Sequence, residues 1–223
     1  MATLRITAPY SAAESWGYDR FIAPAVAELA GELTARIDPL LPRGGALLDV
    51  GCGGGQNLLA IARRRPDAKL TGVDLSAEQV GRALARATAA GAKVSVVEGS
   101  ALTLPFADES FDAVLSVASI KHWPDPALGL RECVRVLRPG GKLRVIEVDR
   151  GCRLDDARRF VGRWRLPGPV RRLCLPLFHT YVAGQGLDLD DARALLAPLG
   201  LLDASVERLD GMPALMIGGT KPS

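Results

Sequence analysis

Two aspartates and a run of glycines are the residues whose types and spacing could hold a ligand. Asp49 sits inside the apolar run Ala46-Leu47-Leu48-Asp49-Val50, and Gly51-Cys52-Gly53-Gly54-Gly55 follows at once. Asp74 lies 23 residues beyond Gly51, at the end of a second apolar run. Glycine takes positive φ without a Cβ penalty, so such a turn lets a ligand approach the main chain. The N–H groups that open the next helix point into the same space. A carboxylate at the position of Asp74 can accept both ribose hydroxyls of an adenosine. The dinucleotide fingerprint needs G-x-G-x-x-G, but Gln56 or Leu58 stands where its third glycine belongs. The P-loop pattern fails as well, because no Gly-Lys-Ser/Thr follows.

The elements that must position these residues are strand–helix units. Short apolar runs at 47–50, 69–73, 93–97, 111–117 and 142–148 read as strands. Helical patterns at 58–65, 76–90 and 126–137 separate them, the second opened by the S-x-x-Q capping box Ser76–Gln79. Such alternation predicts a parallel sheet covered on both faces, with ligands at the carboxyl ends of its strands. Ahead of it, Ile22, Val26, Leu29, Leu33 and Ile37 recur at helical spacing, a helix that packs on the sheet or closes over it as a lid. Behind it, 149–186 breaks the pattern. Residues 150–172 hold eight arginines against two aspartates, interleaved with Leu154, Phe160, Val161 and Trp164. This stretch reads as a helical insertion: a cap over an anionic acceptor, an amphipathic surface for an anionic membrane, or a nucleic-acid contact with Trp164 or Phe160 stacked on bases. A solvated face or subunit interface is the plainer alternative. A helix from Asp188 and an antiparallel pair at 201–209 and 214–220 close the chain.

Bulk properties exclude several classes. With 223 residues, 48% hydrophobic and 24% charged, the chain suits one α/β domain. No apolar run approaches the ~20 residues of a membrane span, and residues 1–10 lack the basic and apolar regions of a secretory signal. The four cysteines show no C-x-x-C, so neither a zinc site nor a redox dithiol is expected, and no metal is assigned. Free thiols fit a reducing, cytoplasmic setting. A net charge of +3 is too small to imply nucleic acid.

Four stretches in register resemble class I S-adenosylmethionine-dependent methyltransferases of the small-molecule type, methyltransferase domain 11-like. Leu47–Gly55 resembles the first motif of that family and Gly72-Val73-Asp74-Leu75-Ser76 the second. Residues 104–112, Leu104-Pro105-Phe106-Ala107-Asp108-Glu109-Ser110-Phe111-Asp112, are similar to the approach to its fourth strand. Glu132 to Leu143, through Pro139-Gly140-Gly141, is similar to the helix and turn before its fifth. The resemblance covers about residues 16–148. It implies a doubly wound, seven-stranded, mostly parallel α/β sheet in one domain. Its parts would be an N-terminal helical lid at 1–45, a cofactor-binding core at 46–148, an arginine-rich cap at 149–186 and a closing helix and strand pair at 187–223.

The resemblance also implies S-adenosyl-L-methionine as cofactor, S-adenosyl-L-homocysteine as product, and an O, N or C nucleophile of a small molecule as acceptor. Gly51, Gly53 and Gly55 would lie along the methionine part, with Asp49 on its ammonium, Asp74 on the ribose and Leu75 beside the adenine. Ser100 and Ala101 stand where the family commonly has an acidic residue on the adenine amino group, so the contact there is a neutral hydroxyl or main chain. Ser116 opens the loop after the fourth strand, which lines the methionine and faces the acceptor. Its sequence lacks the Asn/Asp-Pro-Pro-aromatic motif of DNA and glutamine N-methyltransferases. His122 is the imidazole placed to take an acceptor proton, with a loop histidine as the alternative. Tyr18, Trp123, His179 and Tyr181 are candidate acceptor-pocket residues. No nucleic acid is expected as partner; peripheral membrane contact through the arginines and a monomer or homodimer are the remaining partner readings. A non-catalytic cofactor-binding regulator is the rival function, and a nicotinamide-dependent oxidoreductase is disfavoured by Gln56.

Overall fold

In the computed structural model, residues 20–21 and 41–223 are described. Strand β1 (Ala46–Val50) leads through the glycine turn into α1 (Gln56–Arg64). Then follow β2 (Lys69–Asp74), α2 (Ala77–Ala89), β3 (Val94–Glu98), β4 (Phe111–Val117), α3 (Pro126–Val136) and β5 (Leu137–Val148). The insertion folds as α4 (Leu154–Gly162), α5 (Gly168–Leu177) and a π turn at Phe178–Val182. Helix α6 (Leu189–Leu196) and strands β6 (Leu202–Arg208) and β7 (Ala214–Thr220) end the fold.

The seven strands form one sheet in the order β3-β2-β1-β4-β5-β7-β6. Strands β1 to β5 are parallel, and β7 runs antiparallel between β5 and β6. The period of two sends neighbouring residues to opposite faces. Leu48, Val50 and Val114 join Leu130, Cys133 and Leu196 of α3 and α6 on one side. Leu47, Leu70 and Leu115 join Leu58 and Ile61 of α1 and Ala83 of α2 on the other. The chain fills β1, β2 and β3 outward, then returns to place β4 on the far side of β1. That switch point opens a crevice above the carboxyl ends of β1 and β4.

Local signals set the helix ends. Ser76 Oγ accepts from Gln79 N–H, Asp125 Oδ1 from Leu128 N–H at 2.9 Å, and Asp188 makes a full capping box with Asp191. One element differs from its expected bounds. Extended chain begins at Leu137, which pairs with Phe111 before a register shift to Ala113–Lys142. The Pro-Gly-Gly stretch bulges inside the strand, because Lys221 accepts from Gly140 N–H and donates its own N–H to Gly141 O, both at 2.9 Å.

The insertion has a small core of its own. Phe160, Trp164 and Phe178 meet with ring centroids 5.1–6.0 Å apart, over Cys152, Ala157, Val161 and Ala183. This corrects the stacking role offered for Phe160 and Trp164, whose rings are spent on each other. Pro167-Gly168-Pro169 separates the two helices, with Pro167 as the N-cap of α5. Both ends of the excursion meet at the tip of β5, where Leu187 N–H donates to Val148 O and Arg150 N–H to Leu187 O. Arg150 adds ion pairs to Asp188 and Asp191. Most of the expected N-terminal lid, with Tyr18, lies outside the described residues; of its described part, Phe21 O accepts from Arg165 N–H at 3.1 Å.

Candidate cofactor and acceptor site

The glycine turn is held from three sides. Gly51 and Cys52 donate their N–H groups to Val73 O, and Gly53 N–H donates to Asp74 Oδ2 at 2.8 Å. Arg86, reaching from α2, donates to Gly54 O at 2.8 Å. Gly51, Gly53 and Gly55 all have positive φ, from 51° to 77°. A Cβ on Gly51 would overlap the Ser119 side chain, so the turn after β4 packs directly on the turn after β1. A Cβ on Gly53 would meet nothing within 4 Å; the space there is open.

Asp49 lies beneath this turn. It is fully buried, paired in register with Gly72 and Leu115, and neither carboxylate oxygen has a hydrogen-bond partner. Burial, and then the nearby charge of Asp74, push its pKa from 3.8 to about 7. The Asn57 amide pulls the other way without closing a hydrogen bond, and Asn57 Oδ1 is itself buried and unpartnered. A buried carboxylate with no donor costs stability unless a ligand supplies one. Asp74 is different: Oδ2 accepts from Gly53 and Oδ1 from Ser76 N–H at 3.0 Å. Each oxygen keeps a lone pair for a further donor, so the carboxylate is aimed and still able to accept hydroxyls. Leu75 follows with 74% of its surface exposed, an apolar plate at the rim. Ser100 Oγ accepts from Leu102 N–H, which leaves its O–H as a donor beside the half-buried Ala101.

Two expected residues are turned elsewhere. Ser116 is fully buried, and its hydroxyl donates to Val50 O at 2.9 Å. It ties β4 to β1 and does not offer that hydrogen to a ligand. Trp123 is mostly buried in the core. It packs on Gly129 of α3, where no larger residue would fit, and its Nε1–H donates to Ser119 Oγ at 3.0 Å. His122 ends a short 3-10 turn at Ile120–His122 and is half-buried, three residues past the Ser119 that touches Gly51. Asp125 serves as the cap of α3. His179 belongs to the insertion, with Nε2 3.3 Å from Cys152 O; Tyr181 lies on the same π turn.

Sequence reading missed what fixes the turn after β4. Glu147, fully buried in β5, takes Lys121 Nζ at 2.9 Å and Lys121 N–H at 3.2 Å. The same ammonium donates to Ala118 O at 3.2 Å. Ala118 has φ 53°, a strained left-handed conformation for a residue with a Cβ. The available signal was a lone carboxylate in the apolar run of β5. The other missed residue, Asn57, was visible only as a polar side chain in the first turn of α1.

Comparison with known proteins bears on the fold that carries this site. Residues 48–145 match the family model described as a methyltransferase domain. The chain is 35% identical over 175 residues to the 27-O-demethylrifamycin SV methyltransferase of Amycolatopsis mediterranei, covering 74% of this chain and 62% of that protein. It is 34% identical over 139 residues to the demethylmenaquinone methyltransferase of Porphyromonas gingivalis, covering 61% and 53%. The chain thus spans less than two thirds of the length of these relatives. Among solved structures, a SAM-dependent methyltransferase from Aquifex aeolicus superposes with a TM-score of 0.62 at 18% identity, covering 95% of this chain and 99% of that one. A protein from Methanococcus maripaludis reaches a TM-score of 0.71 at 18% identity, over 94% and 90%. At such identities the structural likeness speaks for the fold.

Proposed function

We propose that the chain is a class I S-adenosylmethionine-dependent methyltransferase through its domain at residues 48–145, and that it methylates an oxygen or carbon nucleophile of an apolar, hydroxyl-bearing small molecule. The observation that carries the cofactor half is Asp49. Two unpartnered oxygens, buried under a glycine turn, call for a cationic donor, and the methionine part of the cofactor brings an ammonium. The open space at Gly53 and the exposed Leu75 support the same fit. A nicotinamide dinucleotide would instead set a pyrophosphate dianion at the glycine turn above Asp49, a like-charge contact in a poorly solvated place.

When bound, the cofactor supplies an electrophilic methyl group on its sulfonium. The roles of the chain are then holding and aligning. Asp49 would take the ammonium and Asp74 the ribose hydroxyls, while Leu75 covers one face of the adenine. Gly51 lets the turn after β4, which carries Ser119, close on the glycine turn, and His122, three residues on, would then stand on the acceptor side. There the imidazole would take the acceptor proton at oxygen. Alignment of donor and acceptor supplies on the order of 7–11 kcal/mol of the barrier, so a base adds to rather than creates the rate. The acceptor class is supported by relatives named for a demethylrifamycin, a demethylmenaquinone and 2-methyl-6-phytyl-1,4-hydroquinone.

Calorimetry with S-adenosylhomocysteine and with NAD tests the cofactor. Binding of the first and not the second is expected, and the reverse would overturn the reading. Labelled cofactor with a panel of phenols, hydroquinones and polyketide alcohols tests the acceptor. His122→Ala should lower turnover by roughly a hundredfold at saturation, the usual worth of a general base. An unaltered rate would remove His122 from the chemistry.

A further inference from the structure

We propose that α5 is a docking face for an anionic lipid surface. Its inner edge, Cys174 and Leu175, packs on the core of the insertion, and none of its residues is fully buried. Its outer edge carries Val170, Leu173 and Leu177, whose spacings of three and four put them on one helix face. They are 42%, 77% and 59% exposed, and Leu154 at the start of α4 is exposed too. Seven large hydrophobic side chains are exposed among the described residues, and these four are the majority. Burying them in water-free surroundings is the gain on offer.

Charge selects the occupant. Arg153, Arg158, Arg159, Arg165 and Arg172 are all exposed in the same two-helix segment. Of its two acids, Asp155 is already bonded to Arg158 at 2.5 Å. A second copy of the chain, docked about a two-fold axis, would bring this basic patch against itself. The aromatic residues that protein partners commonly grip, Phe160, Trp164 and Phe178, are turned inward. What remains outside is aliphatic knobs in a basic field, the composition that inserts shallowly beneath anionic headgroups. The segment leaves and rejoins the sheet at the tip of β5, on the carboxyl edge that carries the candidate site. An apolar acceptor dissolved in the lipid would therefore meet the protein at the right end; this last step rests on the methyl-transfer reading, and the docking does not.

The test is co-sedimentation of the full chain with vesicles of phosphatidylcholine alone and with phosphatidylglycerol added. The expected result is binding to the anionic vesicles only, weakened by salt. The double variant Leu173→Asp/Leu177→Asp should lower the bound fraction at least about tenfold, with an unchanged melting temperature because both positions are exposed. Arg153→Glu/Arg172→Glu should weaken binding as well. Equal binding to both vesicle types, no binding to either, or full binding by the leucine variant would overturn the proposal. So would a wild-type dimer that the leucine variant converts to monomer, which would assign the face to a second copy. Binding of S-adenosylhomocysteine by the leucine variant, followed by calorimetry, should match wild type; its loss in wild type as well would sink the methyl-transfer reading while leaving the lipid result standing.

Discussion

In the proposed cofactor site, Asp49 is the group that should make binding sensitive to pH. Its carboxyl must be ionised to meet an ammonium, and its pKa stands at about 7. Affinity for S-adenosylhomocysteine should rise close to tenfold per pH unit below 7 and level off above it, with a proton released on binding. Calorimetry in buffers of different ionisation heat would measure both. The sign for stability is the opposite. The folded pKa lies above the unfolded 3.8, so the folded protein binds the extra proton between these values. The contribution of this group to ligand-free stability is full below 3.8 and is lost as pH climbs through about 7. Asp49→Asn should therefore bind product poorly at every pH, yet at pH 8 be more stable than wild type by roughly 1–3 kcal/mol, the cost of an unmade buried hydrogen bond. A less stable variant would mean that the carboxylate has a native donor. Asp74 would show no such trade, since both its oxygens already receive main-chain N–H groups that a substitution would strand.

The turn between β4 and α3 is the element on which the proposed acceptor chemistry would depend. Its left-handed Ala118 is held through its N–H to Ile146 O at 2.7 Å and through its carbonyl to Lys121. Lys121 in turn is anchored by Glu147. Lys121→Met would leave a fully buried carboxylate unpaired, a loss of about 3–5 kcal/mol. For a chain of this size that lowers the melting temperature by roughly 10 °C. Lys121→Met/Glu147→Leu should recover most of that stability, because two apolar residues of similar volume replace the pair. Turnover should stay low in the double variant, since nothing then holds Ala118 O. If turnover returns with stability, the pair is only a fold anchor. Calorimetric melting and single-turnover rates, measured on both variants, separate the outcomes.

At the scale of the molecule, the candidate site lies where the strand order reverses between β1 and β4. The candidate cofactor residues Asp49 and Asp74 lie on β1 and β2 and the candidate acceptor side on the turn after β4, so a ligand bound as proposed would link the two sides. A ligand that binds only the folded state adds ~2.7 kcal/mol at a hundred times its dissociation constant. Saturation with S-adenosylhomocysteine should then raise the melting temperature by roughly 5–10 °C, and NAD should not. A scanning-fluorimetry titration reads both directly. Among the described residues no helix is long and apolar enough to cross a membrane.

The sequence by itself determined the features whose information is local. Apolar runs ended by glycine or aspartate marked the strands, and Ser76 and Asp188 marked helix starts because a cap needs only a side chain and an N–H two or three residues on. The glycine turn, with Asp49 and Asp74 at the ends of the first two strands, was legible for the same reason. Tertiary structure decided what depends on partners far along the chain. Strand order brought Lys121 to Glu147 across 26 residues and Arg208 to Asp149 across 59. Packing turned Trp123 onto Gly129 and Ser116 onto Val50, although both stand in the loop region that sequence assigns to ligands. Burial, which no spacing encodes, left Asp49 without a donor and lifted its pKa into the physiological range.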